Sequence, residues 1–213
     1  MKLYYFDLYG KAECIRMTLH KAKVQYEDVR VTGDSWKKLK ASDKCMFGQV
    51  PLLELNDGTY LSQTDAILEY LGTVHNLKGA DPLSTYKGAR AKEYLWNDFW
   101  GNVKLGPIIF SPPGDERTAG IKNLAEAEVP KCFEMIVKCL SDDKKFLCGD
   151  STTIYDFQVA GFLFNLILNP TSKDPEVWAK VWETAPDRLK KYADDFKEDM
   201  KEYLDSRVKG STI

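Results

Sequence analysis

A change of pattern near residue 80 constrains this chain more than any other feature. Strand and helix signals alternate before it, and only helical periods follow. Residues 2–6 form a strand run, and residues 10–23 carry Ala12, Ile15, Leu19 and Ala22 at helical spacing. Residues 25–31 alternate polar and apolar side chains, as a half-buried strand does. A short helix over 36–41 precedes the run Val50-Pro51-Leu52-Leu53-Glu54-Leu55. The turn Asn56-Asp57-Gly58 and the run Thr59-Tyr60-Leu61 complete a β-hairpin. Residues 64–74 then set Ala66, Ile67, Tyr70 and Leu71 on one helix face.

The order βαβ then ββα requires a four-stranded mixed sheet with helices against it and a right-handed crossover in the first unit. A polar stretch with Gly79 and Pro82 reads as a linker. Helical periods follow over 86–108, 118–140, 153–168 and 187–204, so the expected domains are α/β over 1–77 and all-α over 84–213. At 213 residues the chain is long enough for two compact cores.

Composition excludes several partners. The formal charge is −2, and the runs Lys37-Lys38 and Lys190-Lys191 have acids interleaved around them, so no nucleic-acid partner is expected. The longest apolar segment, 159–168, is interrupted by Asn165 and is far short of the roughly 20 residues a membrane span needs. Neither a signal nor a transit peptide is evident. The five cysteines (14, 45, 132, 139 and 148) lack CxxC spacing and read as free thiols, which points to a cytoplasmic protein. His20 and His75 stand far apart, so no metal site is expected.

The chemistry is signalled by Phe47-Gly48-Gln49-Val50-Pro51-Leu52, followed by Ser62-Gln63-Thr64 at a helix start. Proline removes a ladder donor, so its place at a strand entry suggests an edge or a constrained turn. A cis Val50-Pro51 peptide would turn the Val50 backbone groups outward, free to pair with a peptide-like ligand. Gln63 and Thr64 would offer N–H groups, a hydroxyl and the helix dipole to a carboxylate. A strand entry and an N-cap with no ligand suit the same residues. Further on, Thr153 and Asp156 have capping-box spacing, a structural feature to which no chemistry is assigned.

Together, Leu3-Tyr4-Tyr5-Phe6, Gly10-Lys11-Ala12-Glu13-Cys14-Ile15-Arg16, Gly48-Gln49-Val50-Pro51 and Gln63-Thr64-Asp65-Ala66-Ile67 resemble the cytosolic glutathione S-transferases. The likeness is greatest to the tyrosine-dependent sigma, alpha, mu and pi classes. It covers nearly the whole chain, and Ser151-Thr152-Thr153-Ile154-Tyr155-Asp156-Phe157 is similar to that family's helix-capping signature.

The resemblance implies a thioredoxin-like first domain, an all-helical second domain and a homodimer. It also implies glutathione as co-substrate without a further cofactor, and a hydrophobic electrophile. Tyr5 would be catalytic, with Tyr4 facing the other side of the sheet. Val50, beside Pro51, would pair with the cysteinyl unit, and Trp36, Lys40 and Gln49 would lie near the glycyl carboxylate. Gln63 and Thr64 would hold the γ-glutamyl end, and Asp98 would reach across the dimer to its amine. Lys11 stands where these classes commonly carry arginine, and lysine lacks the planar fork of a bidentate contact. Asn97 replaces an acid of the sigma-class pattern linked with divalent cations, so no metal is carried over. Cys14 is read as packing.

The physical basis for Tyr5 is direct. A thiol of pKa about 8.5 is mostly protonated at neutral pH, and the thiolate is the nucleophile. A neutral phenol donating to sulfur favours the thiolate, and a shift of roughly two units corresponds to about 2.7 kcal/mol. The same thiolate would serve a prostaglandin-type isomerase or a peroxidase, and a crystallin-like or ligand-carrying relative is the non-enzymatic alternative. The electrophile site is expected between the domains, with Tyr9, Phe99, residues 106–110 and the C-terminal segment as candidate walls.

Overall fold

The computed structural model describes residues 1–103, 105–208 and 211. The first part contains β1 (Lys2–Tyr5), a 3₁₀ turn (Gly10–Ala12), α1 (Glu13–Lys21), β2 (Glu27–Arg30) and α2 (Gly33–Lys40). After these come β3 (Leu52–Glu54), β4 (Tyr60–Ser62) and α3 (Thr64–Val74). The four strands form one mixed sheet in the order β2-β1-β3-β4. β1 pairs parallel with β2, while β3 runs antiparallel to both β1 and β4. This is the mixed sheet that the strand and helix order requires, in the thioredoxin-like arrangement that the resemblance implies.

Burial follows the pleat. Leu3 pairs with Leu53 at the sheet centre and both are fully buried, as is Leu52. α1 packs between the sheet and the helical domain, so its apolar residues Ile15, Met17 and Leu19 are buried, and so are Glu13 and Arg16. Arg16 is buried with Nε and Nη1 paired, donating to Asp28 Oδ2, to Glu13 Oε2 and to the carbonyls of Leu8 and Tyr9, while Nη2 has no partner among the described residues. Those last two bonds fix the loop that follows β1.

The second part contains α4 (Pro82–Glu93), α5 (Leu105–Phe110), α6 (Asp115–Asn123), α7 (Val129–Cys139), α8 (Ile154–Phe162), α9 (Pro175–Glu183), α10 (Asp187–Asp199) and α11 (Lys201–Ser206). π-helical segments Tyr94–Gly101, Leu124–Glu128 and Leu163–Ile167 follow α4, α6 and α8. The sequence places the first helix of this part at residue 86, whereas it begins at Pro82. Asp81 accepts the N–H groups of Leu83 and Ser84, and proline is well placed in a first turn. The single helix expected over 118–140 is interrupted just before α7. Pro130 has no N–H for the carbonyl four residues back, which disfavours a regular α ladder there. α9 is a helix the sequence reading did not anticipate.

At the start of α8 the expected capping box is present. Asp156 Oδ2 accepts the Thr153 N–H at 2.9 Å and the Thr153 hydroxyl at 2.7 Å. Among the described residues, no helix is long and apolar enough to cross a membrane.

Candidate active site

Successive residues of β1 face opposite ways, and the two tyrosines diverge accordingly. The Tyr4 hydroxyl donates to Glu54 Oε2 at 2.5 Å, and burial together with that carboxylate raises its pKa. Tyr5 points instead to the domain boundary and is 7% exposed. Its oxygen accepts the Lys11 backbone N–H at 3.0 Å, which leaves its own hydroxyl hydrogen without an acceptor among the described residues. Gly10 makes this approach possible. It sits at φ +45°, and a Cβ there would lie 2.6 Å from the Tyr5 oxygen. Burial raises the Tyr5 pKa, partly offset by the Lys11 N–H and by Arg16. Tyr5 is therefore a neutral donor near pH 7.

Two adjoining cavities open beside it. An apolar one of about 270 Å³ is walled by Tyr5, Leu8, Phe110, Phe162 and Leu166. A more polar one of about 490 Å³ is walled by Gln49, Val50, Pro51, Gln63, Thr64 and Asp65 from the sheet domain, and by Asn97 and Gln158 from the helical domain. Phe6, Lys11, Trp96 and Trp100 wall both, and the two indoles lie 5.0 Å apart. A molecule with a polar body and an apolar partner could thus occupy both at once, meeting near Tyr5.

The polar cavity brings two special backbone features together. The Val50-Pro51 peptide is cis, and Val50 lies just before the residues that β3 pairs with its neighbours. Gln63 adopts φ 70°, ψ 119°, a conformation costing a non-glycine residue roughly 1–3 kcal/mol. Its side chain makes no cap for α3; the amide donates to Gln49 Oε1 at 3.3 Å instead. The first N–H groups of α3 therefore start the helix without a side-chain cap, at the wall of a cavity.

Of the site residues expected from sequence, Tyr5, Lys11, Gln49, Val50, Pro51, Gln63 and Thr64 line these two cavities. Trp36, Lys40 and Asp98 do not. Trp36 packs edge-on against Phe6 at 5.4 Å, one layer behind the wall, and Lys40 Nζ lies 5.9 Å from the Trp36 ring. Asp98 is exposed on the π-helical segment. Among the candidate electrophile walls, Phe110 lines the apolar cavity, but Phe99 is buried against Phe162. Tyr9 faces a separate cleft and donates to the Val208 carbonyl. Residues 209, 210, 212 and 213 of the C-terminal segment lie outside the described residues. Cys14 is buried at the polar cavity wall, and burial pushes its thiol up to about 12, so it packs as a neutral thiol.

The N-terminal domain model of glutathione S-transferases matches residues 1–73, and the C-terminal domain model of the same family matches residues 102–207. The chain belongs to the glutathione S-transferase family. Glutathione S-transferase P of Caenorhabditis elegans is 29% identical over 98% of this chain and 93% of its own length. Glutathione S-transferase 1 of Ascaris suum is 34% identical over 76% of this chain and 78% of its own. Among solved structures, a Nu-class glutathione S-transferase from Haemonchus contortus superposes with a TM-score of 0.79 at 30% identity, covering 97% of this chain and 96% of that one.

As a glutathione S-transferase, the chain is a transferase enzyme with the thioredoxin-like and helical domains of that fold. Sequence reasoning missed Phe6, Asp65, Trp96, Trp100, Gln158 and Phe162 as cavity walls. Trp96 and Trp100, four residues apart, carried the one available signal, since that spacing puts both on one helix face.

Proposed function

We propose that this glutathione S-transferase binds glutathione in the polar cavity, ionises its thiol beside Tyr5 and transfers the sulfur to a hydrophobic electrophile in the apolar cavity. The Tyr5 hydroxyl supports this reading most directly: a buried, neutral donor with no acceptor among the described residues, on the wall of the apolar cavity that adjoins the polar one. The Val50 backbone, at the polar cavity wall and outside the β3 pairing, suits the cysteinyl unit, and the uncapped start of α3 at Gln63 and Thr64 suits a carboxylate. Lys11 and Gln49, which also line the polar cavity, suit the peptide's remaining carboxylate. Trp36 and Lys40 would act on that end from behind Phe6.

The Tyr5 O–H turned toward sulfur stabilises the thiolate relative to the thiol, and the thiolate attacks the electrophile held against Trp100 and Phe110. No cofactor beyond glutathione is invoked. A homodimer is part of the proposal, supported by the exposure of the large apolar residues Phe47, Leu83 and Tyr86. A cytoplasmic setting suits five free cysteines. Capture on immobilised glutathione with a conjugation assay tests the proposal: retention and turnover support it, and retention of neither contradicts it.

A further inference from the structure

Asn165 stands in the π-helical segment that follows α8, is 4% exposed, and walls the apolar cavity that Tyr5 also walls. Of the described residues that wall this cavity alone, Tyr5 and Asn165 are the two with polar side chains. The others are Leu8, Gly10, Phe110, Gly161, Phe162 and Leu166. An amide on so apolar a wall needs a reason.

Arg207 fixes how that amide points. Its Nη1 donates to Asn165 Oδ1 at 3.3 Å and its Nη2 to the Phe164 carbonyl at 2.9 Å. A guanidinium carries donors only, so the amide oxygen must face it and the NH2 group must turn away. Arg207 is itself held, with its guanidinium 4.3 Å over the Tyr9 ring and Nη1 3.6 Å from the buried Glu13 carboxylate. Asn165 Nδ2 is left with no acceptor among the described residues, yet it keeps accessible surface. On a side chain this buried, that surface belongs to the cavity. Gly161, one turn earlier, keeps the approach clear: a Cβ there would lie 3.8 Å from Nδ2, in van der Waals contact. An amide donor left unpaired is costly, so the cavity suits an occupant that brings an acceptor.

We propose that Asn165, turned by Arg207, donates to the oxygen of an α,β-unsaturated carbonyl electrophile, so that conjugate addition is the reaction this cavity favours. This inference rests on the glutathione reading above and deepens it by naming the class of electrophile. One amide donor on a hydrocarbon wall matches one oxygen on a hydrocarbon body. The thiolate sulfur bonds the β-carbon, the C=C pair shifts toward the carbonyl, and negative charge gathers on the oxygen that faces Asn165. The proton released when the thiol ionised returns at the α-carbon, so the two substrates combine without any further reactant. Substitution at a benzyl halide by the same thiolate builds no charge on oxygen and gains nothing from Asn165.

The test compares benzylideneacetone, an unsaturated ketone, with benzyl chloride, and reads the ratio of their kcat/KM values with glutathione. Asn165→Leu is expected to lower that ratio about tenfold or more, as loss of one donor to a developing oxyanion does. Asn165→Asp keeps an acceptor for Arg207 but loses the donor, so it should lower the ratio as far even where the leucine variant folds poorly. Arg207→Met frees the amide to turn and should lower the ratio by a smaller factor. A wild-type ratio in either Asn165 variant that a melt shows to be folded overturns the assignment. A wild-type ratio in Arg207→Met overturns the orienting role of the arginine. Wild-type protein that uses benzyl chloride but not the ketone contradicts the assignment alone, whereas use of neither contradicts the glutathione reading itself.

Discussion

Two polar clusters, a buried one at the start of α8 and one at the cavity wall at the start of α3, use their hydrogen-bonding capacity in opposite ways. Asp156, at the start of α8, is fully buried and accepts the N–H groups of Leu147 and Thr153 and the hydroxyls of Thr153 and Tyr192. Burial raises its pKa, and these four donors work against the rise. At the start of α3, Gln63 supplies no cap, and among the described residues the Gln158 side chain has no partner and the nearby Tyr5 hydroxyl has no acceptor. The contrast between Tyr192 and Tyr5 is the plainest. Both are buried phenols, but Tyr192 donates to Asp156 while Tyr5 has no acceptor among the described residues. A polar cluster that satisfies itself holds the fold together, and one left open describes the molecule that will fill it.

The closed cluster should respond to mutation through stability. Asp156→Ala leaves four donors facing a cavity, and a loss of about 3 kcal/mol or more is expected in a denaturant melt. The pKa of bound glutathione should stay unchanged in whatever fraction folds. A loss under about 1 kcal/mol would break the contrast, because Asp156 would then not be the centre of its cluster.

The open cluster should respond through activity. Tyr5→Phe is expected to lower turnover about tenfold or more by removing the donor to sulfur. Its stability should move by less than about 1 kcal/mol, since only one accepted bond, from the Lys11 N–H, is lost. Steady-state kinetics and a melt on the same sample check both halves.

Gln63 is a finer probe. Gln63→Gly relieves the φ 70° strain and should stabilise the fold by about 1 kcal/mol or less, while raising the KM for glutathione. Stabilisation without any change in KM would mean the strain serves no ligand. The smallest effect concerns pH. Because burial raises the Tyr5 pKa above its ordinary 10.0, the phenol keeps its proton throughout the working range. Its donor role is present below that raised pKa and is lost only as pH climbs through it. The profile of kcat/KM should thus rise with thiol ionisation and show no fall from Tyr5 below about pH 10.

Much of the sheet domain was legible because its signals are local. The Asn56-Asp57-Gly58 turn fixes the hairpin, and α3 spans Thr64–Val74, the limits its apolar period gives. The proline of Val50-Pro51 marks a backbone that cannot pair normally, and the peptide there is cis. The helical domain was less legible. α9 is introduced by Pro170, Asp174 and Pro175, turn signals that conceal the buried Trp178 and Val181 behind them. Its cavity walls were the hardest part. An amphipathic helix shows which face is apolar, but whether Trp96 or Gln158 meets a core or a cleft depends on how the domains pack, and no local period carries that. The same limit explains Trp36, whose place one layer behind Phe6 is set by tertiary packing alone.

Tyr5-based activation is tested most directly by titrating the thiol of bound glutathione through the ultraviolet absorbance of the thiolate, in the wild type and in Tyr5→Phe. The bound thiol should ionise roughly two units below its ordinary value of about 8.5 in the wild type, and close to that value in the variant. The same lowered pKa in both proteins would contradict a role for Tyr5 in holding the thiolate.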